Sequence, residues 1–460
     1  MTEQEIIREI CEKENRTNLY DINISGLPAY SIIRGFIRYK IIENYGLPNV
    51  KLRSPLNRLN VLKSALSSFW QLLVLFCSKK KFSTIYYAFA RVDKIGGSYL
   101  DKCTDPIIEQ CKTDDRYLIL DYGRAGVHYK PRVHSDSIVY LDFISVLSRL
   151  YGLFFCKYFY SKYKSEFDLL FKELNALYEL DFKKSEIIKE LAFNSVYVGM
   201  LQRIFQKISA ERVIGPARAF MMAPFIAAKR QGMKTFELQH GITYGETVLY
   251  SGYRDKMITP DFFLAFGNNK PLDVYGIEEN KIINIGWALN DYIADFPNKN
   301  MSYGNNDVLV VSDPEVTRPM LNAVIILAKE NPGITFYFRP HPHEEFNREL
   351  EEMLNPYPNV KIQDKAINIT IVLNMFNLVV GENSTVMYEA LSLGKKVGRL
   401  YYEGLRPLYT DESDRDCFWE IRNQKDFIEF VEGDVNSKRN KCIYSSFDKK
   451  KYLSITGISK

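Results

Sequence analysis

The feature that most constrains this chain is the alternation, from about residue 83 onward, of short β-rich runs with helical runs. Apolar residues dominate the short runs, while the longer runs show helical periodicity. Strands that alternate with helices form parallel sheets, because the crossover helices cover both faces of the sheet. The expected strands are 84–89, 117–120, 138–140, 212–214, 235–238, 262–265, 281–284, 308–311, 335–338, 360–362, 378–380 and 396–400, and helices are expected at 98–111, 161–177, 185–208, 216–231, 317–330, 344–354, 367–375 and 384–393.

The length of 460 residues exceeds what one hydrophobic core normally supports, and it suits two domains of roughly 150–200 residues. The polar stretch 296–306, with Pro297, Gly304 and four asparagines, is the best candidate linker. We therefore expect an α/β protein with a helical N-terminal segment (1–80), a first doubly wound domain (81–295) and a second (296–460). Ligands of such domains bind outside the carboxyl ends of the strands.

Composition restricts the partners. The formal charge of +5 is small for 460 residues, so nucleic acid is not an expected partner, whereas a phosphate-bearing substrate or an anionic membrane would suit it. Seven cysteines are scattered without a Cys-x-x-Cys pair. That pattern favours free thiols in a reducing cytoplasm and argues against a zinc site.

The most apolar run is 65–77 (ALSSFWQLLVLFC), and Lys79, Lys80 and Lys81 follow it. It is too short to span a bilayer, which takes about 20 residues. Either a helix lying in a membrane interface or a buried helix with a basic end fits it. The preceding segment 30–45 mixes Arg34, Arg38 and Lys40 with isoleucine and phenylalanine. Residues 30–81 are therefore a candidate for peripheral membrane contact through one basic, apolar face.

A small-residue turn, Gly-Glu-Asn-Ser-Thr, follows the strand expected at 378–380 and opens a helix. Backbone N–H groups and the positive end of the helix dipole at such a turn attract an anion. The two hydroxyls suit a phosphate, and a carboxylate one turn further on suits ribose hydroxyls. The alternative is an ordinary helix cap by Asn383 or Ser384 with Glu389 in solvent. The candidate donor contacts are Gly381, Glu382, Asn383, Ser384, Thr385 and Glu389.

A second motif, Arg339-Pro340-His341-Pro342-His343, ends another β-rich run. Two prolines prevent continued pairing and fix a rigid exit from the sheet. Arg339 offers a charge-assisted fork for phosphate, and His341 can bind phosphate or protonate a leaving group. The alternative is a stiff surface turn. A metal is not expected, because no carboxylates or cysteines have ligand spacing here.

The two motifs together, Arg-Pro-His-Pro and Gly-Glu-Asn-Ser-Thr followed by Glu-Ala-Leu, resemble the HP and Ser/Thr motifs of bacterial capsule, Kdo and sialic acid transferases of the GT-B fold. They also resemble the C-terminal domain of CDP-glycerol glycerophosphotransferases. The resemblance covers about residues 230–400. It implies two Rossmann-like domains facing each other across a cleft, with donor phosphate contacts from His341, Ser384 and Thr385. The acidic-acidic-glycine motif of sialyltransferases is missing, which argues against a sialic acid donor.

Two candidates remain for the catalytic base and acceptor side. His240, with Gly241 behind it, follows the strand expected at 235–238, and its His-Gly pair is similar to the proposed base of the glycerophosphotransferases. Asp93 lies in a loop with Gly96 and Gly97, from which GT-B enzymes often build the acceptor site. The alternatives are a structural histidine and an ordinary strand-to-helix turn.

The resemblance implies transfer of a sugar from a nucleotide donor, CMP- or CDP-linked by preference, to a hydroxyl of a capsule or O-antigen glycan, free or lipid-linked. No cofactor or metal is expected. Asp414-Arg415-Asp416 has the Asp-x-Asp spelling of a metal–diphosphate motif but lies in an acidic run, which is more typical of a solvated surface. A polyol-phosphate transferase, a sugar-nucleotide 2-epimerase and a non-catalytic binding protein are the alternatives. The expected location is the cytoplasm, at the inner face of the membrane.

Overall fold

The computed structural model describes residues 3–46, 57–89, 92–111, 116–121, 123, 126–178, 182–242, 247–252, 255–267, 276–294, 303–313, 316–341, 348–364, 366–405, 417–434 and 444–458. Most of the expected linker 296–306 and all of Asp414–Asp416 lie outside these residues.

The elements of the N-terminal part are, in chain order, α1 (Glu3–Glu14), β1 (Asn23–Ile24), β2 (Leu27–Pro28), α2 (Ala29–Asn44), α3 (Arg58–Cys77), β3 (Thr84–Tyr87), β4 (Val92–Ile95), β5 (Ser98–Asp101), α4 (Asp105–Cys111), β6 (Tyr117–Asp121), β7 (Ile138–Tyr140), α5 (Asp142–Phe154), α6 (Cys156–Lys162), α7 (Lys164–Leu177), α8 (Lys184–Ile208), β8 (Arg212–Pro216), α9 (Arg218–Lys229), β9 (Lys234–Leu238), β10 (Phe262–Ala265), β11 (Ile282–Asn284) and α10 (Ala288–Ala294).

The C-terminal part continues with β12 (Val308–Val311), α11 (Thr317–Glu330), β13 (Phe336–Arg339), α12 (Arg348–Leu354), β14 (Val360–Ile362), α13 (Ile369–Met375), β15 (Leu378–Gly381), α14 (Thr385–Ser392), β16 (Lys396–Leu400), β17 (Trp419–Ile421), α15 (Gln424–Glu432) and α16 (Lys449–Thr456).

Two parallel sheets organise these elements. The first has seven strands in the order β11-β10-β9-β8-β3-β6-β7, and the second has six in the order β14-β13-β12-β15-β16-β17. Strands such as β12, with the sequence VLVV, are buried along their whole length, as expected when helices cover both faces of a sheet. The predicted α/β fold of GT-B type, with two doubly wound domains, is therefore confirmed.

The strand orders locate a topological switch point in each sheet. In the first sheet the chain moves from β3 to one side through β6 and β7, and then returns to β8 on the other side. In the second it moves from β12 to β13 and β14, and returns to β15. Ligands of open α/β sheets bind at such points. The ends of β3 and β8, and those of β12 and β15, are thus the favoured positions for a site.

The N-terminal helices pack against the first domain through buried arginine side chains. Arg38 is fully buried and donates to the buried Glu14 carboxylate, with Nε 3.0 Å from Oε1. Its Nη1 donates to the carbonyls of Val248 and Ser251, and Arg34 Nη2 donates to Leu249 O at 2.6 Å. The prediction that Arg34 and Arg38 belong to an exposed basic, apolar face is therefore wrong. Both guanidinium groups are buried and donate to groups within the domain.

A β-hairpin replaces the first turns of the helix expected at 98–111. Strands β4 and β5 pair antiparallel, with Asp93 opposite Leu100 and Ile95 opposite Ser98. The Asp101 side chain accepts from the backbone N–H groups of Phe89, Cys103 and Thr104. These bonds hold the end of the hairpin against the end of β3, and the helix starts only at Asp105.

The last helix returns to the first domain. Tyr452 on α16 is fully buried, and its hydroxyl lies 2.8 Å from that of Tyr86 on β3. Lys449 Nζ also donates to Gln110 O at the end of α4. The second domain as expected from sequence, 296–460, therefore ends in a segment that packs on the first.

Candidate functional site

His240 lies at the carboxyl end of β9, and its turn is held by the neighbouring side chain. Gln239 is fully buried; its Oε1 accepts from Phe266 N at 2.7 Å and its Nε2 donates to Gly241 O at 2.8 Å. The His240 ring is half-buried and lies 5.8 Å from the ring of Phe89 and 6.0 Å from that of Tyr250. The histidine is thus positioned by a fixed turn and two aromatic rings.

The ends of β3 and β8 meet beside this histidine. Phe89 follows β3 and packs 5.5 Å from the ring of Phe220, an exposed residue on α9. Arg218 opens α9, its backbone N–H donates to Glu237 Oε1 at 2.8 Å, and its guanidinium lies 5.2 Å from the Tyr250 ring. Burial raises the pKa of Glu237, and Arg218 opposes that shift. The first sheet therefore presents a buried cation and aromatic surface next to His240.

Sequence reasoning missed Arg218 and Gln239. Arg218 had a usable signal, because it follows the expected strand 212–214 where a helix begins, the position at which a doubly wound domain presents ligands. Gln239 had none, because its role depends on the amide of Phe266, 27 positions away.

The helix α14 of the second domain faces this turn. Ser384 is its N-cap, since the Ser384 side chain accepts from Val386 N at 3.3 Å. Thr385 is the first helical residue, and its Oγ1 lies 4.0 Å from where a Cβ on Gly241 would stand. The positive end of α14 is therefore brought next to the His240–Gly241 turn. The predicted His-Gly pair and the Ser384–Thr385 turn thus meet at the boundary between the domains.

Glu389, one turn further along α14, also lies at this boundary and is not in solvent. It is 3% exposed, and its Oε1 accepts from Lys102 Nζ, which follows β5 in the first domain, at 3.2 Å. Its Oε2 is buried without a hydrogen-bond partner among the described residues, as is the hydroxyl of Tyr444. Burial raises the pKa of the Tyr444 hydroxyl, and the negative charge of Glu389 raises it further. A buried carboxylate oxygen without a donor is costly, and it is suited to a ligand hydroxyl.

The residues that precede this helix are packed rather than open. A Cβ on Gly381 would stand 2.8 Å from Val311 and 2.9 Å from Met387 Sδ, so glycine allows β15 to lie tightly against α14. Glu382 and Asn383 are both buried. Their predicted contacts with a donor stay predictions, and packing explains the glycine.

Arg339 departs from its predicted position as an open phosphate fork. It is buried, its Nη1 donates to Asp364 O at 3.0 Å, and its Nη2 donates to Ile367 O at 2.6 Å. These bonds hold the loop before α13. His341 is half-exposed at the end of β13, two strands from β15, or about 10 Å at the usual strand spacing. His343 lies outside the described residues.

Asp93, Gly96 and Gly97 lie on the β4–β5 hairpin and not in an open loop. Gly96 and Gly97 form its turn with φ of 59° and 88°, which explains the two glycines. Asp93 shares a strand face with Ile95. Ile95 and Leu100 belong to an apolar cluster that includes Met387 and Tyr388 of α14. The hairpin thus extends from the first domain to the second, and Asp93 stays a candidate there.

No group of three or more histidine, cysteine or acidic side chains able to hold a metal occurs within the part of the chain that the structure describes. The charged groups at the candidate site are Arg218, Lys102 and Glu389, and the positive end of the α14 dipole lies beside them.

No protein-family model and no curated protein sequence matches this chain. Among solved structures it is similar to the UDP-GlcNAc 2-epimerase of Methanocaldococcus jannaschii, with 14% identity and a TM-score of 0.48 over 82% of this chain and 98% of that chain. The UDP-GlcNAc 2-epimerase of Neisseria meningitidis bound to UDP-GlcNAc gives 12% identity and a TM-score of 0.47, over 82% and 100% of the two chains. The glycotransferase of kitacinnamycin gives 9% and 0.49, over 83% and 100%. At such low identity these likenesses concern the fold alone.

Proposed function

We propose that this protein is a glycosyltransferase that moves a sugar from a nucleotide donor to a hydroxyl of a surface glycan. The observation that supports it best is the approach of Thr385, at the positive end of α14, to the His240–Gly241 turn of the other domain. A donor phosphate at that helix end would lie beside a histidine able to accept a proton. The donor and the base would then lie on opposite domains.

In the proposed reaction, His240 removes the proton of the acceptor hydroxyl as the oxygen attacks the anomeric carbon. The bond from that carbon to the donor phosphate breaks, and the phosphate oxygen takes the electron pair. The dipole of α14 and the Thr385 hydroxyl stabilise the charge that develops on this oxygen. His341 is proposed as a second phosphate contact. Arg339 is not proposed as one, because its N–H groups donate to backbone carbonyls.

Glu389 is proposed to bind the ribose of the nucleotide. Its unpartnered Oε2 can accept a ribose hydroxyl, while Lys102 keeps Oε1 occupied from the first domain. The same carboxylate would therefore join the nucleotide to both domains. The motif resemblance favours a CMP- or CDP-linked donor and a capsule or O-antigen acceptor in the cytoplasm. A polyol-phosphate transferase would use the same residues with a different leaving group.

A thermal-shift panel of CMP, CDP, UDP and GDP tests the proposal, because a ligand that binds only the folded state raises the melting temperature. We expect one or more of these nucleotides to stabilise the wild type and to stabilise Glu389→Gln less. The bound nucleotide then identifies the donor for an assay with and without acceptor glycan. Sugar transfer supports the proposal, whereas isomerisation of the donor without acceptor would make the protein an epimerase. No stabilisation by any of the four nucleotides would contradict a nucleotide site.

A further inference from the structure

The exposed apolar side chains of the first domain are concentrated on α3 and on the neighbouring α5–α6 segment. Of the large hydrophobic residues exposed in the described chain, eight lie on α3 and six lie between Leu147 and Tyr158. Trp70 is 62% exposed and Phe154 is 76% exposed. Isolated apolar residues on a surface are normal, but a contiguous patch marks an interaction site. We call this patch the apolar face; its main members are Leu66, Phe69, Trp70, Leu73, Phe154 and Tyr158.

The opposite side of α3 is fixed to the domain. Ser68 donates to Tyr140 O, and Gln71 Oε1 accepts from Tyr140 N at 2.9 Å. Ser64 lies 2.8 Å from His128 Nε2, which in turn bonds Asp142 at the start of α5. By length and composition α3 is a candidate membrane span. Because these polar contacts bind one side of it to the sheet and to α5, it lies along the domain surface.

α3 and α5 form one continuous surface. The ring of Phe69 lies 5.0 Å from that of Phe143, and Phe143 N donates to Ser68 Oγ at 3.2 Å. The apolar face therefore extends across two helices whose contacting residues, Ser68 and Phe143, are 75 positions apart in the chain. The sequence alone indicates only 65–77, together with residues 30–45, of whose cations Arg34 and Arg38 are buried and Lys40 is half-buried.

The charged side chains on α3, α5 and α6 are almost all basic, although the exposed Asp168 of α7 accepts from the Tyr160 hydroxyl of α6. Within α3, α5 and α6 the sole acidic residue is Asp142, which is buried and bonded to His128. Exposed cations lie on the same elements, and Lys63 shares a helix face with Leu59, Leu66 and Trp70 by its spacing. The exposed basic residues on these helices or in the run after α3 are Arg58, Lys63, Lys79, Lys80, Lys81, Arg149, Lys157 and Lys162. In a chain with 61 basic and 56 acidic residues, this asymmetry is local.

We propose that the apolar face docks on an anionic membrane surface, with its aromatic and leucine side chains in the interface and its lysines on lipid phosphates. A second copy of this chain is disfavoured as the occupant, because it would bring two basic surfaces together. Apolar side chains flanked by lysine and arginine are the arrangement that binds anionic lipid interfaces. The proposal does not depend on the transfer chemistry, since lipid binding needs no donor.

Vesicle co-sedimentation of the full chain tests the proposal. The probes are vesicles of phosphatidylcholine alone and of phosphatidylcholine with phosphatidylglycerol. We expect binding to the anionic vesicles, weakened by added salt as screening increases. Trp70→Glu and Phe154→Glu should each lower the partition coefficient about tenfold, given the apolar area each ring buries. The matched control is Ile326→Glu on α11, a site 58% exposed on the other domain, which should bind as wild type does.

Circular dichroism and size-exclusion chromatography of each variant accompany the binding assay, so that misfolding is not mistaken for lost binding. The fluorescence of Trp70 should shift to the blue on vesicles, and this shift should be lost in Trp70→Phe. Failure of the folded wild type to bind anionic vesicles would overturn the proposal. Binding by folded Phe154→Glu equal to wild type would remove α5 from the face. A wild-type dimer that both variants convert to monomers would make a second copy the occupant.

Discussion

His240 is the residue on which the proposed chemistry depends most. It is half-exposed, its turn is fixed by Gln239, and Gly241 lies against Thr385 of the other domain. We predict that His240→Ala lowers turnover by about 10²–10⁴-fold, the usual contribution of a general base. Nucleotide binding should be nearly unchanged, because the donor contacts lie on α14. Steady-state kinetics and a nucleotide titration on the same preparation measure both. Turnover within threefold of wild type would assign the base elsewhere, with Asp93 as the next candidate.

Asp105 is predicted to make stability depend on pH. Burial, with a contribution from Asp101, raises the pKa of Asp105 to about 7 against the opposing effect of Arg132. The folded state therefore holds a proton that the unfolded chain releases at the ordinary aspartate pKa of 3.8. Stability should fall as pH rises from about 4 through about 7.

Asp105→Asn tests this dependence, because the amide keeps the Oδ2 acceptor position toward Asp101 N and cannot ionise. We expect the loss of unfolding free energy between pH 5 and pH 8, measured by urea denaturation, to be smaller in the variant than in wild type. An equal loss in both proteins would show that Asp105 does not titrate in this range.

Among the elements, the strands were predictable because a buried parallel strand appears in the sequence as a short, continuous apolar run. Strands 138–140, 262–265, 308–311, 360–362 and 396–400 were predicted with the bounds that the structure has. The β4–β5 hairpin was not predictable, because its strands have only four residues each and it is held by Asp101 and by packing against the second domain. The burial of Arg38 had no local signal either, since two of its acceptors lie more than 200 positions away.

The buried pair Glu14–Arg38 should be essential for the N-terminal helices. Glu14 also accepts from the hydroxyls of Tyr20 and Tyr30. Removing one partner of a buried pair costs about 3–5 kcal/mol, because the other charge is left unpaired. We therefore expect Glu14→Ala to lower the unfolding free energy by that amount in urea denaturation. Glu9→Ala, on the same helix and in an exposed pair with Lys13, should cost less than about 1 kcal/mol. Equal effects of the two changes would refute a structural role for the pair.

In the whole molecule, each domain packs against segments that come from the other half of the chain. The β4–β5 hairpin packs against α14, Lys102 pairs with Glu389, and α16 covers the first sheet. The predicted His240–Gly241 pair and Ser384–Thr385 turn lie on the two sides of the candidate site, and each follows a strand of a doubly wound sheet. The sequence did not reveal a role for Lys102, because its partner Glu389 is 287 positions away. Nor did the sequence reveal that Arg339 donates to backbone carbonyls of the loop before α13.

The packing of α16 on the first sheet should contribute to the stability of the protein. Tyr452→Ala should lower the unfolding free energy by about 3–5 kcal/mol, because it removes a fully buried aromatic ring between the C-terminal segment and the first sheet. Tyr452→Phe, which removes only the hydroxyl shared with Tyr86, should cost about 1 kcal/mol. Chemical denaturation compares the two. If Tyr452→Ala were no worse than Tyr452→Phe, α16 would not stabilise the first domain.

A crystal structure of the protein with CDP would locate the bound nucleotide. We expect the diphosphate within hydrogen-bonding distance of the Ser384–Thr385 turn at the start of α14, facing His240, with a ribose hydroxyl on Glu389 Oε2. A diphosphate bound at the ends of β3 and β8, or a Glu389 that keeps its Oε2 away from the nucleotide, would contradict it.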